Sequence, residues 1–205
     1  MKCFLRWLQY TLFVLAVVLL GAFAIDKVSS SIFQRHANAA LEAQRANPSQ
    51  RIERGDVIGR VDVDRLGVSV AIVEGADAGD LAHAAGHLIG TALPGQPGNT
   101  AIAAHRDTFF RPLRNIRPKD TIRVTTPEGE FRYRVAWTRI VNPNDIAVLR
   151  PERSQELTLI TCYPFYYVGD APQRFIVRAK RIEDGTESAS ATECRAEASL
   201  IIEGL

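Results

Sequence analysis

Leu157-Thr158-Leu159-Ile160-Thr161-Cys162-Tyr163-Pro164-Phe165 is the stretch on which the fold turns. Leu157, Leu159 and Thr161 alternate with Thr158, Ile160 and Cys162. Every residue from 157 to 161 is apolar or β-branched, the pattern of a buried β-strand. Pro164 has no N–H to give to a ladder, so regular pairing is expected to stop near Cys162. The thiol then stands at the mouth of a rigid strand, beside an irregular loop. Such a position suits a nucleophile. It also suits a small buried cysteine without chemistry, and strand-end position alone favours that second reading.

Working outward, the neighbouring segments are also short strands. Gln173–Ile182 alternates Phe175, Val177 and Ala179 against Arg174, Ile176 and Arg178. Glu130–Val141 alternates most clearly, with Phe131, Tyr133, Val135 and Trp137 expected on one face and Arg132 and Arg134 on the other. Asp56–Asp64, Val68–Glu74 and Thr121–Thr126 read as further strands, with Ile58 expected on the face opposite Val57, Val61 and Val63. Asn99–His105 is a run of small residues ending on a histidine, and the small side chains leave room for something to approach closely. Asp77 is a plausible N-cap for a short helix over 78–84, with His83 on its exposed face. Gly86–Asn99 reads as loop, and His87 has no partner there. The loop 142–151 is interrupted by Ile146-Ala147-Val148-Leu149. No helix is long enough for a parallel crossover. The fold class is therefore all-β, a barrel of about eight short, mostly antiparallel strands with short helical turns.

Ahead of the domain, the 19 residues from Trp7 to Ile25 carry no charge, close to the roughly 20 that a spanning helix needs. Lys2 and Arg6 precede the run, so the positive-inside rule places residues 1–6 in the cytoplasm and the domain outside the cytoplasmic (inner) membrane. Ala22-Phe23-Ala24 also fits a signal-peptidase site, but the apolar run is long for a signal peptide, and a single-pass anchor over 7–25 is the preferred reading. Residues 26–54 read as a juxtamembrane helix or stalk broken at Asn47-Pro48-Ser49, with His36 on its surface. Residues 55–183 form the domain and 184–205 a polar, disordered tail.

Composition excludes several classes. A net charge of +2, with 46% hydrophobic and 23% charged residues, describes an ordinary globular protein and gives no argument for nucleic acid. The 3 cysteines, Cys3, Cys162 and Cys194, have no metal-ligand spacing, so neither a metal nor a cofactor is expected. A Cys162–Cys194 disulfide would tie a core strand to the tail.

The chemistry open to these residues is nucleophilic. A thiol needs a neighbour that favours its thiolate, imidazole is the usual one, and acyl transfer needs a donor for the oxyanion. Cys162 and His105 each stand at a strand end, and Arg174 opens the strand after the cysteine loop. Antiparallel pairing across 163–172 would bring Arg174 near Cys162. Alone, each residue has an inert reading: packing for Cys162, structure or exposure for His105, a solvated strand position for Arg174. His105-Arg106-Asp107 also matches the kinase HRD tripeptide, but no Gly-rich phosphate loop or DFG accompanies it.

Thr158-Leu159-Ile160-Thr161-Cys162 resembles the TLxTC signature of sortases, membrane-anchored cysteine transpeptidases of bacterial surfaces. Gly90-Thr91-Ala92-Leu93-Pro94-Gly95-Gln96-Pro97-Gly98-Asn99, running into Ala104-His105-Arg106, resembles the segment carrying the family's histidine, and Arg174 falls at the family's arginine. Cys162-Tyr163-Pro164-Phe165 looks closest to class D and the related Gram-negative sortases. No Asp-Pro-Trp-like lid is visible, which argues against the pilin-polymerising class. The resemblance implies the closed sortase β-barrel, with Cys162 as nucleophile, His105 as proton shuttle and Arg174 as oxyanion or substrate-backbone donor. It implies two partners: an exported protein with a C-terminal Leu-Pro-x-Thr-Gly-like sorting signal, and an amine acceptor of the cell envelope. Candidate substrate-binding residues are Ala103, Ala104, Val148, Leu149 and Thr161, with Ala101 beside them. Two rivals are weighed. An L,D-transpeptidase-like enzyme would carry a Ser/Thr-His-Gly-Cys context, which is absent. A silent membrane-tethered binding barrel would lack one of Cys, His or Arg, and all are present.

Overall fold

The computed structural model describes residues 2–46, 52–150, 154–166 and 169–182. The tail over 184–205, with Cys194, lies outside them, as does the break at Asn47-Pro48-Ser49. A long helix, α1 (Lys2–Ala46), precedes β1 (Val57–Val63), β2 (Val68–Glu74), a short α2 (Ala78–His83), β3 (Ala85–His87), β4 (Gly98–Ala103), β5 (Thr121–Thr126), β6 (Gly129–Val141), β7 (Gln155–Tyr163) and β8 (Gln173–Ile182). The strands close a barrel in the order β1-β2-β3-β4-β7-β8-β6-β5.

Two pairings are parallel, β2 with β3 and β4 with β7. The expectation that no crossover was available is corrected here. The six-residue α2 suffices to return the chain to β3, capped by reciprocal Asp77 and Asp80 contacts. The β4-to-β7 connection needs no helix, because β5 and β6 complete the far wall before the chain comes back. β3 lies where the sequence reads as loop. It is only three residues long, and an ideal Cβ on Gly86 would lie 2.3 Å from the Gly75 carbonyl oxygen, so only glycine lets β3 approach the chain leaving β2.

The interior is filled by Val61, Val63, Val70, Ile72, Ile102, Leu157, Leu159 and Val177 among others, all fully buried. Each such side chain contributes about 1.5–3 kcal/mol relative to exposure. Two bulges change which residues face inward. The register slips between Val57 and Gly59, and Ile58, expected outside, joins the core. It slips again between Val135 and Trp137, so Trp137, expected inside with Tyr133, is paired with Arg178 and packs on the outside with Val141, Val148 and Ile176. Tyr133 remains inside, its phenol oxygen accepting from Gly95 N–H at 3.2 Å. Burial raises that phenol's pKa against the opposing pull of the Gly95 bond.

The barrel has two distinct ends. β7 runs toward Cys162, and at this upper end lie the connection after His105, the β1–β2 turn and the loop after Pro164. Arg65 of the turn ties two of these together, donating to the Asn115 carbonyl at 2.8 Å and to Asp120 Oδ1 at 2.7 Å. At the lower end lie the Leu93–Gln96 loop, the β5–β6 turn and the start of β7, where Gln155 Nε2 donates to the Gly95 carbonyl at 2.7 Å.

The stalk expected over 26–54 is continuous with the apolar run as far as Ala46, one helix of 45 residues. Trp7 to Phe23 are exposed, whereas Ala37 and Leu41 are buried against the barrel. Gln34 makes this docking specific: it accepts from Ala71 N–H and donates to the His83 carbonyl, both at 2.8 Å.

Candidate active site

Cys162 and Arg174 are direct cross-strand partners in the antiparallel β7–β8 pair. Directly opposed residues share a face, so both stand on the outside of the barrel, as the alternation of β7 predicts. His105 arrives from the other side. The β4–β7 ladder pairs Ala103 with Ile160, and the parallel register continues past the strand end: Ala104 N–H donates to the Ile160 carbonyl at 3.1 Å, and Thr161 Oγ1 donates to the Ala104 carbonyl at 2.8 Å. One step further on, the same register would set His105 opposite Cys162. Cys162 and Arg174 thus put a half-buried thiol and a half-buried guanidinium on two paired strands, and an exposed imidazole stands two residues beyond the end of β4.

The Arg174 guanidinium is engaged by its own loop, Nη1 donating to the Ala171 and Gln173 carbonyls at 3.1 and 3.0 Å. This ties the group to its loop and restricts its rotamers. Next to Cys162, the outer face is apolar. Ile160, Ile176 and Val141 form a floor, and Val148 and Leu149, on a 3-10 turn over Ile146–Leu149, pack over it with Trp137. Ala103, half-buried on the same face, borders this floor, and Ala101 is fully buried.

Two expected groove residues lie elsewhere. Ala104 belongs to the interior cluster, so its side chain does not line the outer face. Thr161 is 2% exposed and points inward like Leu159, its hydroxyl given to the Ala104 carbonyl. Both sit at inward-alternating positions, so they can act only by placing their neighbours, His105 and Cys162.

A polar network beneath the 3-10 turn was not anticipated from the sequence. Arg178 and Glu156, at 5% and 6% exposure, form a 3.0 Å ion pair. Arg178 Nη2 and Asn99 Nδ2 both donate to the Val148 carbonyl, at 2.8 and 3.0 Å, and Thr158 Oγ1 donates to Asn99 Oδ1 at 2.6 Å. The guanidinium also lies 5.6 Å from the Trp137 ring centroid. These bonds clamp the turn that roofs the apolar floor. Their signal in the sequence was an Arg, a Glu and a Thr on the outer face of adjacent strands, which reads as solvated surface until the loop is known to cover it.

The remaining histidines separate cleanly. His87 is 2% exposed, its Nδ1 2.8 Å from Glu74 Oε2 and its Nε2 3.0 Å from Thr91 Oγ1, so it ties β2, β3 and the following loop together. His83, expected on an exposed face, instead packs against Phe33 of α1, ring centroids 6.0 Å apart. His36 is exposed, as expected. Among the described residues, no group of three or more His, Cys, Asp or Glu side chains converges as a metal site would.

A family profile described as "Sortase domain" matches residues 61–182. The chain belongs to the sortase family. It is similar to sortase D of Bacillus subtilis, 37% identical over 131 residues, which cover 63% of this chain and 66% of that one, just under two thirds of the relative's length. It also matches sortase A of Bacillus anthracis, 26% identical over 166 residues, covering 75% of this chain and 76% of that one. Among solved structures, a Clostridium perfringens sortase D5 transpeptidase superposes with a TM-score of 0.66 at 28% identity, covering 75% of this chain and 98% of that one. A Clostridium perfringens sortase C crystallised with the C-terminal cell wall sorting motif shares the fold at a TM-score of 0.60 and 22% identity, covering 76% of this chain and 90% of that one. The chain is a class D-like sortase with a closed eight-stranded barrel.

Proposed function

We propose that this chain is a membrane-anchored cysteine transpeptidase that cleaves a Leu-Pro-x-Thr-Gly-like sorting signal and passes the acyl group to an amine of the cell envelope. The observation that supports the reading is Cys162 paired with Arg174 beside an apolar floor, with His105 just beyond the end of the strand that pairs with β7. In the first step Cys162 Sγ, as thiolate, attacks the carbonyl carbon of the scissile peptide. Arg174 donates to the oxyanion, after exchanging a loop carbonyl for it, or holds the adjacent substrate backbone. The tetrahedral adduct collapses with loss of the C–N bond, and the imidazolium of His105 protonates the departing amine. In the second step the acceptor amine attacks the thioester, neutral His105 takes its proton, and Cys162 leaves as thiolate. Ala103, Val148 and Leu149 would line the path of the signal along the floor, and Thr161 would keep His105 level with Cys162. The apolar part of α1, of mean hydropathy 2.3 in its most apolar stretch and unburied by the protein, would be the single-pass anchor in the cytoplasmic membrane, with the barrel outside.

The decisive experiment is mass spectrometry of the full chain mixed with a sorting-signal peptide and no acceptor amine. A thioester adduct on Cys162 is expected, absent from Cys162→Ala, which should keep the wild-type melting temperature because its side chain lies outside the core. Cleavage by Cys162→Ala at the wild-type rate would end the assignment. Replacement of Arg174 by Ala should lower kcat by about 10²–10³.

A further inference from the structure

Resting on the reading of Trp7–Ile25 as a membrane span, we propose that the catalytic end of the barrel faces the bilayer, the basic connection after His105 touching anionic lipid headgroups.

The first line of argument is the direction in which α1 is docked. Gln44, near the end of the helix, lines a cavity of about 270 Å³ at the lower end with Val57, Leu93 and Pro127. Toward the N-terminus, Asn38 accepts from Arg60, and Gln34 bonds Ala71, which is the register partner of Arg60. Val57 to Arg60 is the upward direction of β1, whose far end is the Asp64–Gly67 turn beside Asp120. Followed back toward the apolar run, the helix thus leaves the lower end at Gln44 and reaches the middle of β1 and β2 at Asn38 and Gln34, whose contacts share one register level. It is unbroken from Ala46 to Lys2, and the nine residues from Gln34 to Ile25 rise about 14 Å further. Continued in that direction, the apolar segment would project past the end that holds Cys162. Docked in the opposite sense, the same helix would have turned that end away from the membrane.

The second line is charge, and it is independent of the helix. The connection from His105 to Asp120 carries Arg106, Arg111, Arg114, Arg117 and Lys119 against Asp107 and Asp120. Asp120 is held by Arg65. Arg111, Arg114, Arg117 and Lys119 are exposed. Arg114 also bonds the Tyr166 hydroxyl and lies over its ring, and Arg106 donates to the Gly169 carbonyl at 2.8 Å, so the basic connection and the loop beyond Cys162 form one surface. At the lower end Glu53 and Glu128 are exposed, and the exposed Arg54, Arg132 and Lys180 there are each paired with a carboxylate, of Asp77, Glu130 and Glu156. Basic groups within a Debye length of an anionic leaflet are attracted to it, and acidic groups are repelled. Both the helix and the charges thus select the same end. A peptide still held in the bilayer would meet Cys162 as it emerges, without crossing the length of the barrel.

The test uses the full chain in vesicles of phosphatidylcholine with phosphatidylglycerol, with Cys3, Cys162 and Cys194 replaced by Ser. A nitroxide is placed at Thr108→Cys or at Glu128→Cys, and its relaxation by a nickel-chelating lipid headgroup is measured. Relaxation several-fold stronger at 108 than at 128 is expected, and the difference should fall when Arg111→Gln/Arg117→Gln is added or phosphatidylglycerol is left out. The same two substitutions, in the chain with Cys162 intact, should leave cleavage of a soluble peptide in detergent unchanged. Equal or reversed relaxation in protein that resists an alkaline carbonate wash would overturn the orientation while leaving the anchor. Strong relaxation at 108 that ignores lipid charge and both substitutions would overturn the headgroup contact. Release of the chain by the carbonate wash would overturn the anchor reading itself.

Discussion

The two faces of β7 are built on opposite terms. Its inner face, Leu157, Leu159 and Thr161, meets a close-packed interior in which shape and apolar area decide the energy. Its outer face, Thr158, Ile160 and Cys162, meets a guanidinium, an apolar floor and Arg174. Because the strand alternates, each residue of one kind is covalently held between two of the other. Thr161 is the clearest case: an inward side chain whose bond to Ala104 fixes the residue before an exposed imidazole. Packing on one face thereby becomes precision on the other, which a loop-borne thiol would lack.

Three substitutions probe that division, and a fourth tests a pair far from it. Arg178→Met should have the largest effect on stability. It leaves the buried Glu156 with only Ser154 and the more distant Lys180, 3.8 Å away, a loss of up to about 3–5 kcal/mol, and the Val148 carbonyl loses a donor. Folded protein should show a raised KM with kcat kept, since the roof over the floor loosens. Adding Glu156→Leu should restore melting temperature but not KM. A single variant as stable as wild type would mean that the network is solvated after all. Leu159→Ala, on the inner face, should cost about 2–5 kcal/mol with kcat/KM per folded molecule unchanged; a specific loss of kcat would break the separation of faces. Thr161→Val should cost about 1–3 kcal/mol through the unsatisfied Ala104 carbonyl. It should lower kcat at constant KM, with Thr161→Ser restoring both, and an unaltered kcat would remove Thr161 from the placement of His105.

The smallest effect is expected far from β7. The hydrogen bond from Arg65 holds the Asp120 carboxyl below its ordinary range. Its folded pKa is depressed, so its stabilisation is present above the unfolded value near 3.9 and is lost as pH falls through the folded one. Asp120→Asn should flatten the acid limb of a thermal-melt pH profile below about pH 4 and leave the neutral activity alone. An unchanged acid limb would show that the pair is fully screened.

Much of this was readable without coordinates. Seven of the eight strands are legible in the sequence, β4 as a run of small residues after a Gly-Asn turn and most of the others from period-2 alternation. The exception, β3, is three residues long, too short to show a period. Ile58 and Trp137 were placed on the wrong faces because a bulge inserts a residue without any compositional mark. Ala104 was expected in the groove because small size was visible while parity at the strand end was not. The Arg178–Glu156 pair was hidden because burial of an outer-face strand position depends on a loop that returns from elsewhere.

By itself the sequence determined the barrel's strands, the apolar run ahead of them and the identity of the Cys, His and Arg on which the proposed chemistry rests. These are local properties, set by periodicity, by hydrophobicity and by motifs a few residues long. Tertiary structure decided what sequence distance conceals. It set a parallel β4–β7 pairing that carries residue 105 toward 162, two bulges that reassign faces, and a loop that buries an ion pair. It also set the direction in which α1 lies along the barrel, on which the proposed orientation at a membrane rests. The reason is physical: each depends on contacts between segments tens of residues apart, whose energies no local pattern encodes.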